Sequence, residues 1–436
     1  MVGPGVTIGI LGASGLIGHA LTIELQRRGH RVVPLARRFT PAQRAAHLTP
    51  GRELALAELA DSELADALRD FDIVVNCLGV LQDAPGNSTE DIHIRFVTRL
   101  LRAMRSDGLL IQISVPQAGA DTTAFSSSKR IAEAAIVASG MPYLILRPGF
   151  VLADAAYGGS ALLRALAALP VALPPQLAMT PFAVTDAADI AATVAFSADA
   201  RRAGTRDFAA IWDVFSDDSS AVGSVLEALR RHLGARPTRL TLPVWLLHLG
   251  ARVGDIVSLL GWTPPIRSTA LAEMERGIGG APGPWRTATG IPARSIGTML
   301  ADRPATVQQH WFTRLFLLKP LIFGGLALFW IVSGLITLFP ALGPATDILV
   351  RLGIPPGWAG AMAIVTSLAD IAVGVSIAIR RTSRAALALG LAVAAFYLLG
   401  AAVLAPGLWL DPLGSLVKTI PAILLMLVAL AIWDNR

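Results

Sequence analysis

The sequence predicts an α/β doubly wound parallel sheet followed by an α-helical bundle of four membrane spans. Three observations carry this. β-rich runs alternate with helical patterns through the first half. A glycine-rich turn joins the first run to the first helix. The last quarter holds four apolar stretches separated by Pro and Gly. Composition agrees: of 436 residues, 53% are hydrophobic and 16% charged, with a mean hydropathy of +0.58. Soluble domains carry about 25% charged residues.

Thr7–Leu11 reads as the first strand. It leads into Gly12-Ala13-Ser14-Gly15-Leu16-Ile17-Gly18 and a helical pattern to Arg28. Gly29 ends that helix, and Arg31–Ala36 is the next strand. In this βαβ setting the glycines have distinct tasks, and all seven residues of the turn are expected at a dinucleotide. Gly12 permits the tight turn, Gly15 lets backbone amides approach a pyrophosphate at the helix N-terminus, and Gly18 permits close packing. The second strand ends in Arg37 and Arg38, with no acid to accept from a ribose 2′-hydroxyl. Two arginines suit an adenosine 2′-phosphate, so NADP(H) is expected over NAD(H). Further strands are expected at Asp72–Leu78, Leu109–Ser114 and Tyr143–Arg147. Ligands bind at the carboxyl ends of such strands, which brings Leu78, Gly79, Ser114 and Pro148 into the site.

These residues resemble the extended and atypical short-chain dehydrogenase/reductases, nearest the NmrA-like and complex I 39-kDa-subunit-like branches, over about residues 5–235. The Gly12–Gly18 turn is similar to that family's GxxGxxG turn, and NCLGV (Asn76–Val80) to its adenine–ribose segment. LRPGF (Leu146–Phe150) resembles the motif that closes over the nicotinamide, and Met179–Ala191 the later V-x-D-x-A segment. By this resemblance Ser114 stands at the active-site serine and Lys129 at the lysine that bonds the nicotinamide ribose. Both are candidate catalytic residues. The family's catalytic tyrosine is replaced by Phe125, which has no titratable group. His93 and Tyr143 lie nearby in sequence, but nothing in it places either as a substitute acid. The single cysteine, Cys77, reads as a small buried hydrophobe. No metal site is expected.

The stretch 236–318 reads as a helical lid or linker. Within it, Leu242–Trp262 suits a lid or a helix lying on a membrane surface. His248 reads as a boundary or packing residue, and the Gly/Pro-rich Gly277–Gly290 as a loop.

The membrane domain is expected over 319–436. Its spans are Leu321–Phe339, Trp358–Ile379, Ala385–Leu404 and Leu416–Trp433, near the 20 or so apolar residues a crossing needs. Arg380, Arg381 and Arg384 in one loop, with Arg314, Lys319 and Arg436, place both termini and the nucleotide domain in the cytoplasm of a multi-pass cell (inner) membrane protein. Asp370 lies near the middle of its span. It reads either as a proton-relay or quinone-site acid, or as a protonated carboxyl bonded to a neighbouring helix. These spans, with the DPLG segment and Lys418, resemble the DoxX-like four-helix membrane family. Some relatives of that family belong to quinol- or thiol-linked redox assemblies.

No basic block with interleaved aromatics is present, so nucleic acid is not an expected partner. The expected partners are the bilayer and a quinone or membrane redox partner. The expected function is a membrane-anchored, NADPH-dependent oxidoreductase acting on a lipid-soluble, quinone-like substrate. The alternative is a non-catalytic NADP(H) sensor or assembly subunit. Substrate and oligomeric state are not written in the sequence.

Overall fold

Long apolar runs such as TIGIL, DIVVNCL and LLIQI can be buried on both faces only in a parallel sheet with helices on either side. The computed structural model contains that sheet. It describes residues 6–83, 88–117, 119–216, 218, 220–404, 406–410 and 416–433. The DPLG segment and Arg436 lie outside the described residues.

The chain divides into two compact units, Met1–Asp255 with Pro264–Thr313, and Ile256–Thr263 with Arg314–Arg436. In the first unit the strands are β1 (Thr7–Leu11), β2 (Arg31–Ala36), β3 (Arg52–Glu53), β4 (Ile73–Asn76), β5 (Leu109–Ile113) and β6 (Tyr143–Pro148). Then come β7 (Phe150–Leu152), β8 (Val171–Ala172), β9 (Val184–Asp186), β10 (Ala209–Val214) and β11 (Leu240–Thr241). Seven form one parallel sheet in the order β10-β6-β5-β4-β1-β2-β3. β7 pairs with β9 and β8 with β11.

Side chains alternate across the sheet. Ile8, Ile10, Val32, Ile73, Val75 and Ile111 pack on one face with Ile190 and Val194 of the helix Ala187–Arg202. Leu11, Leu35, Val74 and Leu110 pack on the other with Phe71, Phe96 and Ile136. Each fully buried aliphatic side chain contributes about 1.5–3 kcal/mol. The strand order reverses between β1 and β4, which is where such sheets open a crevice at their carboxyl edge.

One sequence expectation is corrected here. The Gly277–Gly290 stretch is not all loop: Gly283–Thr289 is a helix. Its Trp285 is fully buried, and the indole N–H donates to Thr193 Oγ1 at 3.0 Å. A large aromatic that finds both an apolar slot and an acceptor outweighs the poor helix propensity of its neighbours.

Among the described residues of the second unit, three helices are long and apolar enough to cross a bilayer: Leu318–Leu338, Pro356–Ala378 and Ser383–Leu404. The fourth apolar stretch is a shorter helix, Thr419–Ala431, of 13 residues. A further helix, Leu342–Arg351, lies in the connection between the first two spans. Small residues let the first two spans approach closely. A Cβ on Gly374 would lie 2.7 Å from the Ala327 carbonyl oxygen, and one on Gly334 2.7 Å from the Ile371 side chain.

Candidate nucleotide-binding site

The turn after β1 is built for close approach. Gly12 has φ +76°, and a Cβ there would lie 3.1 Å from the backbone of Cys77 and Leu78. A Cβ on Gly18 would collide with the Gly12 carbonyl, so the helix Leu16–Arg27 starts directly against the turn. No side chain caps that helix. The first amides of a helix have no acceptor within it, so Leu16, Ile17 and Gly18 present a donor cluster at a positive helix end. Ala13 is different: its amide is already bonded to the Leu35 carbonyl at 3.0 Å. Gln43 Nε2 donates to the Ser14 carbonyl at 2.9 Å and pins the turn from outside.

Arg37 and Arg38 follow β2 and are exposed, and among the described residues neither takes part in an ion pair. Glu53 of β3, near enough to Arg38 to feel its charge, pairs with Arg44 at 2.7 Å and accepts from the Phe39 amide at 3.0 Å. Hydrogen bonds from that amide and from Arg44 hold its carboxyl below the ordinary value.

At the end of β4, buried Asn76 accepts from the Leu78 amide at 3.1 Å and donates to Gln112 of β5 at 2.8 Å. This fixes the path of Leu78 and Gly79. Gly79 is exposed, and a Cβ there would lie 3.5 Å from Lys129 Nζ. Lys129 comes from the helix Ala124–Ala138, capped by Thr123, whose hydroxyl accepts from the Ser126 amide at 3.1 Å. Its ammonium donates to the Ile113 carbonyl at 3.0 Å. Burial pulls Lys129 down to about 8, against the opposing pull of Cys77 and Glu133. Burial pushes the Cys77 thiol up to about 12, so it stays protonated and inert at neutral pH.

Ser114 follows β5 and is buried, with its amide bonded to Leu146 at 2.7 Å. Its hydroxyl is near enough to Glu133 to help keep that carboxylate ionised, but makes no hydrogen bond of good geometry. A buried hydroxyl without a partner needs an acceptor or donor from elsewhere. Burial works against ionising Glu133, yet hydrogen bonds from Arg147 and Arg130, with the Ser114 hydroxyl nearby, hold its carboxyl below the ordinary value. Arg130 reaches Glu133 at 2.7 Å and Asp121 at 3.0 Å, and Asp121 in turn meets Arg276 at 3.2 Å. Pro148 is buried at the end of β6.

Phe125 packs edge-on to His93, with ring centroids 5.6 Å apart. His93 accepts from the Val80 amide at 3.1 Å and meets the Ser128 hydroxyl at 2.8 Å. Both ring nitrogens are engaged, and burial, aided by Lys129, holds its pKa down to about 3. It is a neutral bracket rather than an acid. Tyr143 starts β6, opposite Leu110 and Ala209, at the amino end of the strand and away from this edge. Neither residue replaces the missing tyrosine.

Gly12–Gly18, Arg37, Arg38, Leu78, Gly79, Ser114, Lys129 and Pro148 therefore share the carboxyl edge of the sheet. That edge combines a turn that a Cβ would fill, an uncapped helix start and a buried Ser114 hydroxyl without a partner. The Asn76–Gln112 pair and the Arg130–Glu133–Arg147 cluster were not foreseen. One signal for Glu133 existed: it follows Lys129 by four residues, on the same helix face. Asp370 belongs to the second unit, where the Tyr397 hydroxyl donates to it at 3.4 Å.

Residues 12–169 match the NAD(P)H-binding family model, and residues 327–427 match the DoxX-like family. A curated relative, the uncharacterized protein YwnB of Bacillus subtilis, is 32% identical over 108 residues, 24% of this chain and 45% of that protein. The chain thus spans less than half of that relative's length. The structure of the Bordetella bronchiseptica enzyme WbmG with NAD and UDP is similar at a TM-score of 0.52 and 16% identity, covering 72% of this chain and 97% of that one. UDP-glucuronic acid 4-epimerase of Bacillus cereus, with UDP-glucuronic acid and NAD, is similar at a TM-score of 0.51 and 14% identity, covering 71% and 100%. At such identities the likeness is one of fold.

Proposed function

We propose that this chain, an NAD(P)H-binding domain joined to a DoxX-like membrane domain, binds NADP(H) and serves reduction of a lipid-soluble, quinone-like acceptor or a membrane redox partner. The observation that carries the reading is a dinucleotide-type site that lacks the tyrosine acid: Phe125 stands beside a neutral, fully engaged His93.

The bound dinucleotide would supply a hydride. The protein's own residues then select the acceptor. Reducing a simple carbonyl leaves an alkoxide about as basic as hydroxide, whose conjugate acid has a pKa of about 15.7, so it needs an acid at hand. Reducing a quinone leaves a phenolate, with a conjugate acid of pKa about 10, which water can protonate. Phe125 removes the first chemistry and permits the second. The Ser114 hydroxyl is free to hydrogen-bond an acceptor oxygen. Lys129, fixed on the Ile113 carbonyl, would hold the nicotinamide ribose. Arg37 and Arg38 would meet the 2′-phosphate. Arg380, Arg381 and Arg384 in one loop support a cytoplasmic nucleotide domain, by the excess of positive charge that cytoplasmic loops carry.

Phe125 equally favours a second reading, a non-catalytic NADP(H) sensor or assembly subunit. Titrating the detergent-solubilised full chain with NADPH and NADH, then adding short-chain quinones, separates the two. The first reading expects tighter NADPH binding and quinone-dependent NADPH oxidation that is lost in Lys129→Ala. Binding without turnover on any quinone leaves the second. The double change Arg37→Glu, Arg38→Glu should weaken NADPH about tenfold relative to NADH, about 1.4 kcal/mol. An unchanged ratio removes the NADP(H) assignment.

A further inference from the structure

A cavity of about 190 Å³ lies within the first unit, lined by the helices Gly159–Ala168 and Val222–His232 and by residues 300–313. None of the nucleotide-site residues lines it. Its polar side chains include Arg164, His232, Arg303 and Gln309, and its apolar wall includes Leu233 and Phe312.

Arg164 is the unusual member. It is only 7% exposed, and Nη2 donates to the Ala153 carbonyl at 2.7 Å. Its Nε has no partner, and among the described residues no carboxylate pairs with it. The near acid, Asp154, is mostly solvent-exposed and already bound to Arg303 at 2.6 Å. Arg303 is further balanced by fully buried Asp186 at 2.7 Å. Arg230, on a neighbouring helix and also buried, likewise leaves Nε without a partner, but its charge is met: it pairs with Glu227 at 2.7 Å and bonds Thr238 and two carbonyls. A buried guanidinium with an open donor and no counter-charge is strongly unfavourable. Burial and Arg303 both work to lower its pKa, and Asp154 only partly offsets them. An anion entering the cavity removes that imbalance. Guanidinium geometry matches a tetrahedral oxyanion, and His232 and Gln309 offer further polar groups. The leucine and phenylalanine wall suits a short apolar remainder.

We propose that this cavity is a second ligand site, distinct from the nucleotide site, that binds a phosphate monoester through Arg164. The phosphate comes either from a small soluble molecule or from an anionic lipid headgroup.

The test uses the full chain in a neutral detergent and phosphate-free buffer. It is titrated separately with inorganic phosphate and with short-chain phosphatidic acid, with short-chain phosphatidylcholine as control. Thermal midpoint and NADPH affinity are read in parallel. The expected result is a saturable rise in midpoint with phosphate, phosphatidic acid or both, and none with phosphatidylcholine. Arg164→Met should weaken that binding at least about tenfold, the loss of one charge-assisted contact, with NADPH affinity unchanged. Arg164→Lys should retain part of it. If Arg164→Met does not fold, His232→Leu carries the same expectation. A response to phosphatidic acid alone assigns the lipid source, and a response to both assigns the soluble one. No response to either, or full binding in the variants, overturns the proposal.

Discussion

Glu133 in the nucleotide unit and Asp370 in the membrane unit are both acids placed on helices away from bulk water, and their surroundings differ sharply. Glu133 is held by two arginines, one of which extends the cluster to Asp121 and Arg276. Asp370 has the Tyr397 hydroxyl as its one partner among the described residues. The nucleotide unit holds this buried acid in a network of arginines. The bundle instead packs through glycines, Gly334 and Gly374 against backbone, and leaves its acid with a weak partner. The comparison teaches where conversion between charge states is affordable. A matched carboxylate cannot give up or take a proton without breaking a network. A weakly held acid within a bilayer can, which is why such residues mark functional sites.

The largest effect should come from breaking the matched side. Glu133→Ala leaves Arg130 and Arg147 without their shared partner, and removing one member of a buried pair costs about 3–5 kcal/mol. Chemical denaturation of the full chain in detergent, followed by a probe in the nucleotide unit, measures this. A loss below about 1 kcal/mol would mean the cluster behaves as a surface pair, and the contrast fails. A smaller effect is expected from Gly374→Ala. The new methyl must fit 2.7 Å from the Ala327 carbonyl, and overpacking of this kind costs about 1–3 kcal/mol. Unfolding in mixed micelles should show it, with NADPH affinity unchanged. A neutral or stabilising result would mean the spans can separate without penalty.

How much of this was legible beforehand differs between the units for physical reasons. Strands β1 and β2 match their expected bounds, because alternating β-branched runs and flanking glycines are local signals. The Gly12–Gly18 turn was legible for the same reason. Asn76–Gln112, Glu133–Arg147 and Asp186–Arg303 were not, since their partners lie 14 to 117 residues apart and pair only through the sheet's crossovers. Trp285 was missed because its Gly/Pro neighbours carry a loop signal, while its slot beside Thr193 is tertiary. In the bundle the long spans were legible from hydropathy alone. The helix Leu342–Arg351 was not, because its 10 residues resemble a polar-flanked connection.

The last expected effect is the smallest and concerns His93, whose two hydrogen bonds require the neutral ring. Its pKa falls from an ordinary 6.5 to about 3 on folding. Between those values the unfolded chain binds a proton that the folded chain refuses. This contribution to stability is therefore complete above pH 6.5 and is lost as pH falls toward 3. At pH 5.5 the loss amounts to about 1.4 kcal/mol. Glu133, with its lowered carboxyl pKa, loses stability in the same direction but only at lower pH. Asp189, raised to about 6 by burial, acts in the opposite direction. Other half-buried histidines, such as His19, are also held below their ordinary value by burial, so the informative quantity is a difference. His93→Gln can still accept from Val80 and donate to Ser128, but binds no proton. Its stability should fall less than that of the parent between pH 8 and pH 5.5, by about that 1.4 kcal/mol. Equal slopes would show that His93 takes up its proton in the folded state. It would then be available as the acid that Phe125 does not supply, and the case for an acceptor needing no protein acid would lose its main support.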